Sequence, residues 1–207
     1  MTDRAYSSPP IRRLRVRLSR LLAVPLGLLL MFSRSAWNDL PLVGTVLFTT
    51  GLVLVAIGSM GRLWCSLYIA GHRNGTLVTL GPYSISRNPL YFFSLVGALG
   101  VAFGSQTILI PAGTVLVFAL LYGYVIKMEE TKLSALHGDS FKDYCKTTPR
   151  FFPDFSRLKE PEAYPAHPVA FRSDISSALW FIWLLCIFEL IEVLQALELL
   201  PVFFEIY

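Results

Sequence analysis

Residues 88–126 read NPLYFFSLVGALGVAFGSQTILIPAGTVLVFALLYGYVI, 39 residues without one charged side chain. A helix that crosses a bilayer takes about 20 residues, so this run is too long for a single span. Gly104-Ser105-Gln106 breaks it near the middle. The stretch therefore predicts a helical hairpin with arms over Leu90–Phe103 and Thr107–Ile126. That hairpin sets the fold class: all-α, a multi-span transmembrane helical bundle.

The flanking runs fit the same class. Leu40–Gly61 gives 22 uncharged residues, enough for one span. Leu21–Ser33 is shorter, 13 residues between Arg20 and Arg34, whose side chains can snorkel and lengthen it. A signal peptide is the competing reading of that run. The next span begins only a few residues later, which favours a retained hairpin. Ile175–Phe188 is followed by Glu189, Glu192, Gln195 and Glu198, and reads as a span with a polar second half. The expectation is about five spans.

Composition agrees. Apolar residues make up 54% of the 207 and charged residues 15%, against about 25% charged in a soluble domain. Disorder is excluded, and so small a soluble domain has too little interior to hide this much apolar surface. Cys65, Cys145 and Cys186 are widely spaced and form no C-x-x-C pair, so neither a zinc site nor a disulfide framework is suggested.

The net charge of +4 resolves by position. Six arginines precede the first span, Arg62, Arg73 and Arg87 lie between the second and third, and eight Lys or Arg lie over residues 127–172. These 17 fall on one side and Arg34 alone on the other. The positive-inside rule then places the amino terminus and both large loops in the cytoplasm and the carboxyl terminus on the far side. The charge is topological and lipid-facing, so no nucleic-acid partner is expected. The chain divides into a basic tail over 1–20, two spans over 21–66, a core over 67–153, a cytoplasmic linker over 154–176, and a last helix with an acidic end over 177–207.

Chemistry concentrates in two cytoplasmic stretches, His72–Tyr91 (HRNGTLVTLGPYSISRNPLY) and Lys127–Pro153 (KMEETKLSALHGDSFKDYCKTTPRFFP). Each abuts the cytoplasmic end of a hairpin arm, so the two should meet. Pro89 suits the first turn of a helix, and Asn88 before it is a candidate cap. Arg87 sits beside the free N–H groups of that helix start, where a carboxylate can bind. As plain anchors, Arg87 would snorkel and Tyr91 would join an interfacial belt. Glu129-Glu130 could take an ammonium group and hydroxyls of a ligand, or stand as a solvated helix end. Phe141, Tyr144, Phe151 and Phe152 could wall a planar ring or form a belt. Glu189, deep in the last span, is a functional candidate by default, with Arg34 available to pair with Glu192 or Glu198. The alternative is that the chain leaves the span after Phe188 as an interfacial helix.

At these residues the chain resembles the isoprenylcysteine carboxyl methyltransferase and phospholipid methyltransferase superfamily, membrane enzymes that use S-adenosylmethionine. The first motif is Leu77-Val78-Thr79, Gly81, Tyr83, Arg87, Pro89 and Tyr91; the second is Glu129-Glu130, Leu133, Gly138, Phe141, Tyr144, Pro149 and Pro153. The resemblance covers about 80 residues, near Tyr68 to Pro153. It implies that Gly75, Thr76, Leu77, Val78 and Tyr83 line the cofactor pocket. Asn88, Pro89, Leu90 and Tyr91 would hold the cofactor from the other side, with Glu129 as its acidic ligand. Glu130 and Arg87 become the catalytic candidates.

There are three departures. Asn88 stands where the family carries a histidine, and asparagine cannot act as a base. Gly75 replaces a histidine common in the carboxyl methyltransferases, and Val125 a basic residue on their substrate side.

The expected activity is S-adenosylmethionine-dependent methyl transfer to a lipidic or membrane-embedded acceptor: a carboxylate, thiol or amine. No base is required for an anionic acceptor; for an amine, Glu130 or His72 is available. The rivals are an NADPH-dependent reductase of the sterol-reductase type and a non-catalytic membrane assembly protein.

Overall fold

The computed structural model describes residues 32–37, 40–70 and 76–206. The first expected span, over 21–33, lies almost entirely outside the described residues. The remainder adopts the expected all-α membrane fold. Helices α1 (Pro41–Ile69), α2 (Pro82–Ile85), α3 (Pro89–Gly104), α4 (Leu109–His137), α5 (Asp139–Thr147) and α6 (Pro168–Ala196) run in chain order, with a 3₁₀ turn at Phe155–Arg157. By length and composition, α1, α4 and the Asp174–Ala196 part of α6 can cross a membrane, and α3 is a shorter apolar helix.

The hairpin forms as expected, from α3 and α4. Its shorter arm is the centre of the bundle: α3 packs against α1, α4 and α6. Small residues make the closest contact. Gly44, Gly51, Gly58 and Cys65 recur every seven residues along the buried side of α1, a spacing that keeps one seam facing its neighbour. A Cβ at Gly58 would lie 2.5 Å from Gly97 Cα, and one at Gly51 would lie 2.6 Å from the Gly100 carbonyl oxygen. The two backbones touch, the usual way for helices to associate where lipid removes the hydrophobic drive. Large apolar side chains face outward instead, among them Leu42 and Met60 of α1, Leu116 and Leu120 of α4, and Trp183 of α6.

Three boundaries differ from expectation. Arg62 was expected in a loop, because a charge ends the uncharged run, but α1 continues to Ile69. The helix tolerates Arg62 because its guanidinium finds partners on two neighbours. It bonds Ser94 of α3, bonds Ser177 of α6 at 2.6 Å, and lies 5.5 Å from the centre of the Phe181 ring. The last helix begins at Pro168, not at 177. Helix α4 runs past the expected arm end at Ile126 to His137, whereas the continuation of α6 past Glu189 and Glu192 to Ala196 agrees with the reading of a last span with a polar second half.

The far end carries a feature the all-α reading lacked. Strand β1 (Ser33–Ser35) pairs in parallel with β2 (Phe204–Ile206). Beside them the hairpin turn is tied to α6: Gln106 Nε2 donates to Glu192 Oε2 at 2.7 Å, and Ser35 Oγ donates to the Gln106 carbonyl at 2.7 Å. Glu192 therefore takes a bond from Gln106 and not from Arg34, whose strand position leaves it exposed.

Candidate active site

Both expected stretches meet at the opposite end of the hairpin. Tyr91 stands in the first turn of α3 and Glu129 near the last turns of α4. Tyr91 Oη donates to Glu129 Oε1 at 2.8 Å. The Tyr91 ring is buried against Tyr122, 5.2 Å between centroids, and Tyr122 stacks on Phe118 at 4.1 Å. Val125 is buried in the same apolar cluster, which accounts for the absence of a basic residue there.

Glu130, one residue on, faces cations. Arg87 Nη1 lies 3.2 Å from Oε1 and Arg150 Nε lies 3.0 Å from Oε2. Asn88 Nδ2 reaches Oε1 at 3.4 Å and the Arg150 carbonyl at 2.9 Å. The expected cap is thus absent: the Asn88 side chain makes no capping bond to α3. Its carboxamide is drawn across to the second motif, while its own N–H is held by Ser86 Oγ at 3.2 Å.

The second motif clamps the first through backbone as well. Arg87 N donates to the Pro149 carbonyl at 2.8 Å, Asp154 N to that of Ile85 at 2.9 Å, and Gly81 N to that of Lys159 at 2.8 Å. Tyr144 Oη donates to the Tyr83 carbonyl at 2.6 Å. Two glycines are required by conformation. Gly81 (φ +59°) and Gly138 (φ +53°) sit in the left-handed region, and a Cβ at Gly81 would also enter the Tyr68 ring. Gly81 makes the turn into α2, and Gly138 the bend from α4 to α5.

The other expected positions fall on a second face. Val78, Tyr83 and Leu90 pack in an apolar cluster around Cys65, Tyr68 and Phe93. Pro89 is fully buried, Thr76 is exposed and Leu77 is half-buried in a segment without regular secondary structure. Gly75 and His72 lie outside the described residues. The expected aromatic wall divides: Phe151 and Phe152 join Phe92, at 5.8 and 6.4 Å, whereas Phe141 and Tyr144 pack together on α5 at 6.2 Å. Among the described residues, no group of three or more His, Cys, Asp or Glu side chains is placed to hold a metal ion.

Several participants were not singled out in the sequence. Arg150 lies inside the second motif between Pro149 and Phe151, and a lone cation there was a usable signal. Ser86 and Cys145, which takes Arg87 Nη1 at 2.7 Å, carried none. Nor did the linker, where Lys159 N bonds Ser84 Oγ at 2.9 Å and Tyr164 Oη bonds the Tyr68 carbonyl at 2.9 Å.

A family model described as phospholipid methyltransferase matches residues 40–140, which span α1, the hairpin and Glu129-Glu130. The cobalt-zinc-cadmium resistance protein CzcN of Cupriavidus metallidurans is 38% identical over 160 residues, covering 77% of this chain and 73% of that protein. The nickel-cobalt-cadmium resistance protein NccN of Alcaligenes xylosoxydans xylosoxydans is 33% identical over 193 residues, covering 93% of this chain and 90% of that protein. The chain belongs to the phospholipid methyltransferase family. No solved structure matches it. As a member of that family of membrane methyltransferases, it presents the paired carboxylates of α4 directly against the start of α3.

Proposed function

We propose that the protein is an integral membrane methyltransferase that uses S-adenosylmethionine and acts on a lipidic or membrane-embedded small acceptor, its accepting atom a carboxylate, thiol or amine. The observation that carries this reading is the meeting of Tyr91 and Glu129 at 2.8 Å beside the Arg87–Glu130 pair. The donor set suits the cofactor. An ionised carboxylate accepts only, so Glu129, oriented by the Tyr91 hydroxyl, is fitted to an ammonium group or ribose hydroxyls. Thr76, Leu77 and Val78 offer the backbone of an irregular segment, and Asn88, Pro89 and Leu90 a helix start. When bound, the cofactor supplies a methyl group on a sulfonium, which transfers by in-line displacement.

The chain's own work is then positioning, which can supply much of the acceleration. Glu130, with Arg87, Arg150 and Asn88 directed at it, locks the second motif onto the first. Those three donors support a positioning role for Glu130 over proton abstraction, and so favour an acceptor that is already anionic. In our reading the basic amino-terminal side, both motifs and the linker face the cytoplasm, and the acceptor enters sideways from the bilayer. Two relatives are named for metal resistance. We read any such role here as exerted through the methylated product, since the described residues gather no metal-binding group.

Isothermal titration of S-adenosylhomocysteine into the purified protein tests the proposal. The wild type should bind, and Glu129→Gln should bind at least about tenfold more weakly, the loss expected for a charged hydrogen bond. Unchanged binding in Glu129→Gln would refute the assignment. Binding of NADPH in place of S-adenosylhomocysteine would substitute the reductase reading.

A further inference from the structure

Beyond the paired carboxylates, on the outer side of Arg87, lies a cavity of about 270 Å³. Its lining includes Arg87, Lys146, Arg150 and Arg157, with Cys145 and the single carboxylate of Asp154. Three guanidinium groups and an ammonium group thus border one small cleft. Like charges brought so close repel, and the described anions offset them only in part. Arg150 engages Glu130 through Nε, at 3.0 Å. Arg157 engages Asp154 through Nε at 2.6 Å and the Thr147 carbonyl through Nη1 at 2.6 Å. Lys146 reaches outward to Asp143 at 2.8 Å.

This mode of anchoring matters. Arg150 and Arg157 are each fixed at Nε, so the forks are held while Nη groups are left over: both of Arg150 and Nη2 of Arg157 take no partner among the described residues. Arg87 adds a buried Nε with no hydrogen-bond partner. Pre-oriented guanidinium forks are the best protein match to a tetrahedral oxyanion. The level in the fold is also telling. Arg87 lies two residues before α3, and Glu130 lies just past the apolar run of α4. Charge returns to the chain at this height, where the polar layer of a bilayer would begin.

We propose that this cleft is an anion site for a phosphate group, distinct from the cofactor contacts at Glu129, and that it captures the headgroup phosphate of a membrane lipid or free inorganic phosphate. The proposal does not depend on methyl transfer, because its test reads binding.

The full chain, purified in detergent, is measured in two arms. Native mass spectrometry compares retained phosphatidate with retained phosphatidylcholine, and phosphorus NMR line broadening follows inorganic phosphate. Arg157→Gln should weaken phosphate-group binding about fivefold, the worth of one basic residue at a membrane surface, and Lys146→Gln by less, because its ammonium is shared with Asp143. Arg157→Lys, which keeps the charge and loses the fork, should restore only part of it. Lys142→Gln, on the same helix but outside the cleft, should change nothing. Losses confined to the phosphatidate arm identify the lipid as the source, and losses in both arms show that the free ion suffices. Equal losses in Lys142→Gln, or no loss in either cleft variant, would overturn the proposal. So would displacement of phosphate by S-adenosylhomocysteine, which would fold the cleft into the cofactor site. That result would leave the methyltransferase reading intact, whereas failure of the Glu129 titration would leave the cleft untouched.

Discussion

Tyr91 donates its hydroxyl hydrogen to the Glu129 carboxylate across 2.8 Å, joining the first turn of the short helix α3 to the end of the long helix α4. The bond links residues 38 positions apart in the chain and fixes the orientation of Glu129, the carboxylate we propose as the cofactor's acidic ligand. Tyr91→Phe keeps the ring and its packing on Tyr122 while removing that bond. Hydrogen bonds to charged groups contribute about 1.5–3 kcal/mol. Tyr91→Phe should therefore weaken S-adenosylhomocysteine binding about tenfold, with the fold preserved by circular dichroism. An affinity equal to wild type would separate Tyr91 from cofactor binding.

The partners of Glu130 are unequal. Arg87 is 15% exposed and Arg150 50%, against 18% for Glu130 itself. A half-exposed ion pair contributes little, about 0–1 kcal/mol, whereas breaking a largely buried one strands a charge. Arg150→Gln should shift the melting temperature only slightly. Arg87→Gln and Glu130→Gln should each destabilise by about 2 kcal/mol, discounted from the fully buried case. A thermal melt that ranks Arg150→Gln as the most damaging of the three would contradict this ordering.

The backbone contact of α1 and α3 predicts a sharp contrast among glycines. Gly58→Leu has no room, since even a Cβ would lie 2.5 Å from Gly97 Cα. Overpacking should cost about 1–3 kcal/mol or more and reduce the folded yield in detergent. Gly113 and Gly123 on α4 face open space. Alanine at either should be neutral or stabilising by up to ~1 kcal/mol, the helix propensity gain. Size-exclusion profiles and melts of the three variants would check it.

The turn at Asp154 gives a pH signature. Ser156 Oγ and N donate to Oδ1 at 2.6 and 3.2 Å and Arg157 Nε donates to Oδ2 at 2.6 Å. The Ser156 bonds first, and Arg157 next, hold this carboxyl below its ordinary value. Its contribution to stability is therefore complete above the unfolded-state pKa of about 3.9 and is lost as pH falls through the lower folded value. The melting difference between wild type and Asp154→Asn should be present at pH 7 and should close at strongly acidic pH. A difference that persists there would assign the effect to something other than this charge.

The hairpin and both motifs were legible because their signals are local: an uncharged run, a polar break, and turn residues at fixed spacing. That the motifs meet could be read from their places at the two arms' ends. Features that depend on distant partners were not legible. Arg62 ended an uncharged run and so read as a loop; partners on two other helices, Ser94 and Ser177 among them, make it a helix residue. Asn88 carried a capping signal, yet Glu130 and the Arg150 carbonyl compete for its carboxamide. Glu192 found Gln106, 86 residues away, where charge alone pointed to Arg34. The three-residue strands at the far end are too short to leave an alternating pattern.

One length has a mechanical consequence. Helix α3 has 16 residues where α1, α4 and α6 have 29 each. At 1.5 Å per residue that is about 24 Å against about 44 Å. A post of 24 Å falls short of a ~30 Å hydrocarbon core, so the bundle has a step cut into it where α3 begins, and Tyr91 and Glu129 sit in that step. Mismatch between protein and bilayer is relieved by tilt or by local thinning. Acyl-chain length should therefore set where the step lies relative to the headgroups, so that bilayer thickness becomes a variable to which this protein responds.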